Sequence, residues 1–424
     1  MLSFIVSSNQ PDTHDGLYEV LDCPLCKSNQ HSQLYQRQKR AGAPLGDVLI
    51  SVAQCDGCGF VYNNPCVRGD VLDAYYHSSS LASGQTFRDE SADGYYPQLN
   101  HDRAVYFGRL LASQSQGKLL DIGCGVGGFL DALKTQGLAQ WEFYGLEPSE
   151  NAAASARDKG YIIEESFLGA DHLEENSFDA IAMVSVLEHV RDPRLALERL
   201  RQLLKPDGIV FIEVPSVLHP ELTLTGYFSM EHIQHFSPGI LANLFRDMGW
   251  VDMMNDPLIE DHGLRLIGSA NLSKWEQKNT VSYTDNPAYT RKVIKAYATA
   301  ELELVEMIIR RVEVALKQWK SEGRKIAIYG AGIHTLELLS VVDLPAYVSI
   351  ILDSDTKKQG TQFLGLPVHA PKEISNLGID AVLISSQRFQ DEIKRFVESI
   401  APDSIEIAVC YDDPNNSLLS LPQD

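Results

Sequence analysis

At 424 residues the chain exceeds what one hydrophobic core usually organises, so two or three domains are expected. Its composition, 44% hydrophobic and 22% charged, is that of a globular protein and excludes a disordered or fibrous one. A formal charge of -21, from 57 acidic and 36 basic side chains without a Lys/Arg cluster, argues against nucleic acid or an anionic membrane as partner.

No apolar stretch approaches a membrane span, and residues 1–7 lack the basic region and long apolar run of a signal peptide. Seven cysteines, four of them in two C-x-x-C pairs, favour metal binding in a reducing cytoplasm over a disulfide framework. Residues 1–68 hold both pairs, Cys23-Pro-Leu-Cys26 and Cys55-Asp-Gly-Cys58. Two such knuckles make the closed tetrahedral site of a structural zinc, with no position left for chemistry. Redox dithiols are the alternative, and His31 is a weak substitute ligand. A segment this small is expected to need the metal to fold. Cys66, Cys124 and Cys410 read as small buried hydrophobes.

Residues 69–270 are expected to alternate strands and helices around a largely parallel sheet. The run Lys118-Leu-Leu-Asp121-Ile-Gly123-Cys124-Gly125-Val-Gly127-Gly128 reads as a buried strand ending in an acid, a glycine-rich turn and a helix start. A second strand ends in Glu147-Pro148, where an acid can accept hydrogen bonds from ribose hydroxyls. Gly123, Gly125 and Gly128 formally match a dinucleotide fingerprint, which alone is a weak signal. Asp121 discriminates: it would repel a pyrophosphate on the helix N-terminus but attract the cationic amino group and sulfonium of S-adenosylmethionine.

After the strand ending at Pro215, the loop 226–238 carries Glu231 and His232. Such neighbours can form a carboxylate-supported imidazole suited to proton abstraction. His189 reads as pocket lining, and Asp171 as a possible contact to the adenine amine. Residues 287–320 repeat apolar positions at helical spacing and predict one long helix within a linker, 271–322. Residues 323–424 open with another strand and glycine turn, Tyr329-Gly330-Ala-Gly332, and a second strand ending at Asp353. This is a second Rossmann-like unit, but Thr335 stands at the third glycine position. It reads as a scaffold closing over the active site, with binding of a substrate's nucleotide end as the alternative.

The blocks around Asp121, Glu147, residues 178–193 and residues 204–215 together resemble class I S-adenosylmethionine-dependent methyltransferases. That resemblance implies a Rossmann-like α/β sheet and assigns Asp121, Gly123, Cys124, Gly125, Glu147, Pro148 and Ser185 to cofactor binding. The three-part plan (zinc segment, methyltransferase, C-terminal Rossmann-like domain) further resembles the sugar C-methyltransferases of deoxysugar biosynthesis. There an aromatic-x-Glu-His-x-x-aromatic-Phe-Ser loop supplies the active-site pair, matched here by Ser229-Met-Glu231-His232-Ile-Gln-His235-Phe236-Ser237. A tyrosine ahead of a serine pair is matched by Tyr76-His77-Ser78-Ser79, and the tail loop by residues 353–360.

The resemblance implies C-methylation of a nucleotide-linked 4-keto sugar, with Glu231 and His232 as base and Tyr76 stabilising the enolate oxygen. Two departures, Asp121-Ile-Gly in place of Glu-Ile-Gly and Ser229 and His235 in place of aromatics, leave O-methylation of a sugar hydroxyl or another small metabolite as the alternative. The oligomeric state stays open.

Overall fold

The computed structural model describes residues 16–42, 45–78, 95–112, 114–256, 263–269, 285–387 and 389–411. Residues 1–7, read above for a leader, and Ser79 lie outside them. The chain divides into two units. Unit 1 comprises Met1–Gln36, Ile50–Pro220 and Phe228–Arg291; unit 2 comprises Arg37–Leu49, Glu221–Tyr227 and Lys292–Asp424.

In chain order the first elements are β1 (Tyr18–Glu19), β2 (His31–Gly42), β3 (Gly46–Cys55), β4 (Val61–Asn63), β5 (Cys66–Val67), α1 (Gly69–Ser78) and α2 (Tyr95–Leu111). There follow β6 (Lys118–Ile122), α3 (Gly128–Thr135), β7 (Glu142–Leu146), α4 (Glu150–Asp158), β8 (Ile162–Glu164) and β9 (Phe178–Val184). Next come α5 (Pro193–Leu203), β10 (Leu204–Pro215), β11 (Gln234–His235), α6 (Pro238–Asp247), β12 (Val251–Asp256) and β13 (Gly263–Ser269).

The large sheet of unit 1 has seven strands in the order β12-β13-β10-β9-β6-β7-β8. From β10 to β8 all neighbours are parallel, while β13 and β12 close the other edge antiparallel. Leu119, Leu120 and Ile122 of β6 are buried, as expected of a parallel strand covered on both faces. The chain runs outward from β6 through β7 to β8 and then returns to β9. That reversal makes a switch point at the carboxyl ends of β6 and β9, where open α/β sheets bind ligands.

Within unit 1, β4 pairs antiparallel with β11 on one side and with Val52–Gln54 of β3 on the other. Tyr62 and Val61 of β4 pair antiparallel with Gln234 and His235 of β11. The cysteine segment and the loop after β10 are therefore strands of one sheet. Cys23, Cys55, Phe60 and Tyr62 also share a hydrophobic core with Leu187, Val214 and Phe236. The boundary expected at residue 68 separates no independent core, because the apolar faces of the knuckles pack on the larger sheet's own residues.

Unit 2 contains most of α7 (Pro287–Ser321), then β14 (Ile326–Tyr329), α8 (Ile333–Val341), β15 (Val348–Leu352), β16 (Gln362–Phe363) and β17 (Leu366–His369). α9 (Ile374–Leu377), β18 (Ala381–Ile384), α10 (Gln390–Ile400) and β19 (Glu406–Val409) complete it. Its sheet runs β16-β17-β15-β14-β18-β19, parallel except for β16. α7 extends over 35 residues with Val293, Tyr297, Leu304, Ile308, Val312 and Leu316 buried at helical spacing. Among the described residues no helix is long and apolar enough to cross a membrane.

Candidate functional site

The turn after β6 is held by the acid at the end of β7. Glu147 accepts the Gly125 N–H through one carboxylate oxygen and the Ser149 N–H through the other, both at 2.9 Å. Gly125 adopts φ 53°, the left-handed region that favours glycine. A carboxylate accepts up to about four hydrogen bonds, so holding two amides is compatible with receiving a ribose diol. Asp121 is 3% exposed at the end of β6, beside Gly145 of β7 and Ala182 of β9 in the ladder. Cys124 is buried beneath the turn, and burial pushes its thiol well above the ordinary range. Exposed Gly123 lies so near the end of β9 that a Cβ there would come 2.5 Å from Val186 Cγ2.

Ser185, the residue after β9, is exposed and holds φ 53°, an unusual conformation for a residue with a side chain. Its N–H donates to the Glu213 carbonyl at 2.8 Å. His77 of α1 donates through Nδ1 to the Pro148 carbonyl at 2.9 Å. The adjacent Tyr76 hydroxyl lies 2.8 Å from His189 Nδ1. One helix thus touches both the cofactor-binding candidates and a second cluster.

That second cluster joins three distant segments. His189 Nδ1 is 3.0 Å from the Glu231 backbone carbonyl, and the His189 and His232 rings meet edge to face with centroids 4.8 Å apart. Burial, reinforced by the Glu231 charge, pushes the Tyr76 phenol well above its ordinary value, so it stays protonated. Burial pulls the His189 imidazole down to about 4, which keeps it neutral near pH 7. His189, read from the sequence as lining, stands at the centre of the group. No local signal marks this: its neighbours come from α1 and from the loop after β10.

The loop itself is pinned at several points. Asn63 of β4 donates to the Ser229 carbonyl at 2.8 Å, and its Oδ1 lies 3.0 Å from His235 Nε2. Ser237 caps α6 by accepting the Ile240 N–H, with Pro238 in the first turn.

Two expectations take other forms. Asp171 is bound by Arg199 at 2.5 Å and by the Gly169 and Leu173 amides, with its side chain buried. Burial would raise this carboxyl, but Arg199 and the two amides together outweigh it and the group is lowered. His31 is absent from the cysteine cluster; its ring lies 3.4 Å from Asn64 Nδ2. Sequence reading also missed a buried triad in which Glu213 takes two guanidinium bonds from Arg103, at 2.8 and 2.5 Å, and one from Arg265 at 2.5 Å.

Cys23, Cys26, Cys55 and Cys58 converge, with Sγ atoms 3.6 Å apart in the Cys23/Cys58 pair and 3.4 Å apart in the Cys26/Cys55 pair. Four thiolates about 2.3 Å from a tetrahedral ion lie at comparable separations, so the donor set fits zinc. The two knuckles share one design: Lys27 N–H returns to the Cys23 carbonyl and Gly59 N–H to the Cys55 carbonyl, each with positive φ. The hydrogen bond from Cys58 pulls the Cys23 thiol down to about 5. Cys66 and Cys410 are buried, their thiols pushed up to about 11 and about 12.

Residues 98–253, which contain the turn, both acids and the loop, match the family of methyltransferase domains. They are an S-adenosylmethionine-dependent methyltransferase domain. Residues 322–408 match the family described as C2185-like, N-terminal. The chain is 34% identical over 122 residues to the ubiquinone biosynthesis O-methyltransferase of Histophilus somni, covering 27% of this chain and 51% of that protein. It thus spans about half the length of that relative. It is 24% identical over 300 residues to the C-methyltransferase NovU of Streptomyces niveus, covering 66% of this chain and 70% of NovU. The solved plantazolicin methyltransferase BpumL in complex with SAH aligns with a TM-score of 0.39 at 13% identity, over 47% of this chain and 94% of that one.

Proposed function

We propose that this chain is a cytoplasmic enzyme that transfers the methyl group of S-adenosylmethionine to a ring carbon of a nucleotide-linked 4-keto sugar. The observation that carries this reading is the meeting of Tyr76, His189 and the Glu231/His232 loop beside the glycine turn. In the domain, Asp121 holds the cofactor's amino group, Glu147 its ribose, and Gly123, Cys124, Gly125, Pro148 and Ser185 shape the pocket. Glu231 and His232 remove the acidic proton on the carbon beside the carbonyl. The C–H electron pair becomes an enolate, whose oxygen receives a hydrogen bond from the protonated Tyr76. The carbanion carbon then attacks the methyl group, and the sulfonium leaves as a neutral thioether. An anion and a cation thereby neutralise each other, so the transition state carries less separated charge than the reactants.

The C-methyltransferase match extends over more of the chain than the O-methyltransferase match, which supports carbon as the acceptor. Transfer to a sugar hydroxyl is the second reading, favoured by those O-methyltransferase relatives, with His232 taking the hydroxyl proton. The four cysteines hold a structural zinc, and residues 323–411 form a second Rossmann-like unit that binds no dinucleotide, since Thr335 fills the third glycine position.

A panel of 4-keto and fully hydroxylated nucleotide sugars with labelled S-adenosylmethionine tests the reading. Methyl on a ring carbon, and deuterium exchange at that carbon without cofactor, is expected. Methyl on oxygen establishes the second reading, and transfer to no sugar refutes both.

A further inference from the structure

The reaction scheme leaves one buried acid unused. Glu188, directly after the β9 strand, is 1% exposed, and neither carboxylate oxygen has a hydrogen-bond partner. A buried carboxylate without a donor is costly, and burial accordingly pushes this one up to about 8. The group facing it is His189 Nε2, 3.7 Å away, which is too long for a hydrogen bond.

The contacts at His189 Nδ1 fix which side of the ring faces Glu188. This nitrogen lies 3.0 Å from the Glu231 carbonyl and 2.8 Å from the Tyr76 hydroxyl, which leaves Nε2 as the ring nitrogen on the Glu188 side. Nε2 faces Glu188 Oε1 across that 3.7 Å gap. A divalent cation between them would take the place of the carboxyl proton that burial retains on Glu188. A ring N–H donated to a backbone carbonyl is also the usual partner arrangement of a metal-ligating histidine. His232 supplies a third donor: one ligand atom from each of Glu188, His189 and His232 lies within 4.8 Å of the others.

We propose that Glu188, His189 and His232 form a binding site for a divalent first-row transition-metal ion, separate from the cysteine cluster. Two imidazoles and one carboxylate suit zinc, manganese or ferrous ions better than calcium or magnesium, which prefer all-oxygen shells. Three protein ligands leave positions open for an acceptor oxygen, where the ion acts as a Lewis acid. With His232 as ligand, Glu231 remains to take the proton. The site moves His232 from base to ligand in either reading of the acceptor, and its test is a metal measurement rather than a turnover measurement.

Full-length protein with its cysteine cluster zinc-filled is dialysed against Co2+, and bound metal is counted before and after a mild chelator wash. The expected result is one chelator-resistant equivalent and one labile equivalent, the labile Co2+ showing weak visible bands without thiolate charge transfer. Glu188→Gln and His232→Ala should each lose the labile equivalent while keeping the resistant one. A single equivalent in the unmodified chain, or a labile equivalent retained in either variant, overturns the proposal. Should Glu188→Gln fail to fold, the half-buried His232 decides alone.

Discussion

The two units solve one structural problem with the same parts and put them to different ends. In each, a strand enters a glycine turn and a helix leaves it, and a second strand ends in an acid that clasps the turn. Gly123 N–H donates to the Leu146 carbonyl at 2.7 Å, and Gly330 N–H to that of Leu352 at 2.8 Å. Glu147 takes the Gly125 and Ser149 amides; Asp353 takes the Ala331 and Asp355 amides at 2.8 Å each. The differences lie beside this shared clasp. Two residues before the first glycine, unit 1 has Asp121 and unit 2 has Ile328. At the third glycine position unit 1 keeps Gly128, while unit 2 has Thr335, bonded to the Gly330 carbonyl at 2.5 Å and to Ser385 at 2.8 Å. The clasp is thus common to both turns, while the residues that surround it differ.

If that division holds, Asp121→Asn should have the largest effect. Losing the charge opposite the cofactor's amino group should weaken S-adenosylmethionine binding on the order of 100-fold, read by calorimetry. An unchanged affinity would remove the distinction between the two turns.

Acid should separate the units next. Buried His235 of unit 1 titrates near about 3, pulled down by burial, whereas His334 and His369 of unit 2 are only half-buried. In the unfolded chain an imidazole takes its proton below about 6.5, so this stability is complete above that pH and lost as pH falls towards 3. His235 should contribute about 2 kcal/mol of loss at pH 5 in a thermal-unfolding series, buried His189 adding a similar amount, and His235→Gln should remove only its own share.

Glu147→Gln should raise the KM for S-adenosylmethionine about tenfold, because ribose loses a charged acceptor. The matching Asp353→Asn should leave that KM alone and cost unit 2 about 1 kcal/mol, seen as a shift of one calorimetric transition. A changed KM in that variant would mean that the second turn also serves the cofactor.

Much of this comparison was legible in the sequence, because each β-turn-α-β unit is contiguous and its glycines and acids stand at fixed offsets. The long α7 helix was legible for the same reason: its buried positions recur along one uninterrupted segment. What escaped was tertiary. The two-residue β11 strand has too few positions to show any alternation, so its pairing with β4 left no pattern to read. The neighbours of His189 Nδ1 come from α1 and from a loop far along the chain. Likewise Asp171 looks available for a ligand until Arg199 of α5 is folded against it.

The β4/β11 pairing also bears on how the chain is made. As the ribosome extrudes it, β4 emerges well before its partner, with about 170 residues still to come, a delay of roughly 10–30 s at ordinary translation rates. Throughout that interval an apolar edge strand carrying Tyr62 lies beside the cysteine knuckles without its cover. Such an edge recruits stray strands. The nascent chain therefore passes through a window in which this edge is open to pairing with other chains.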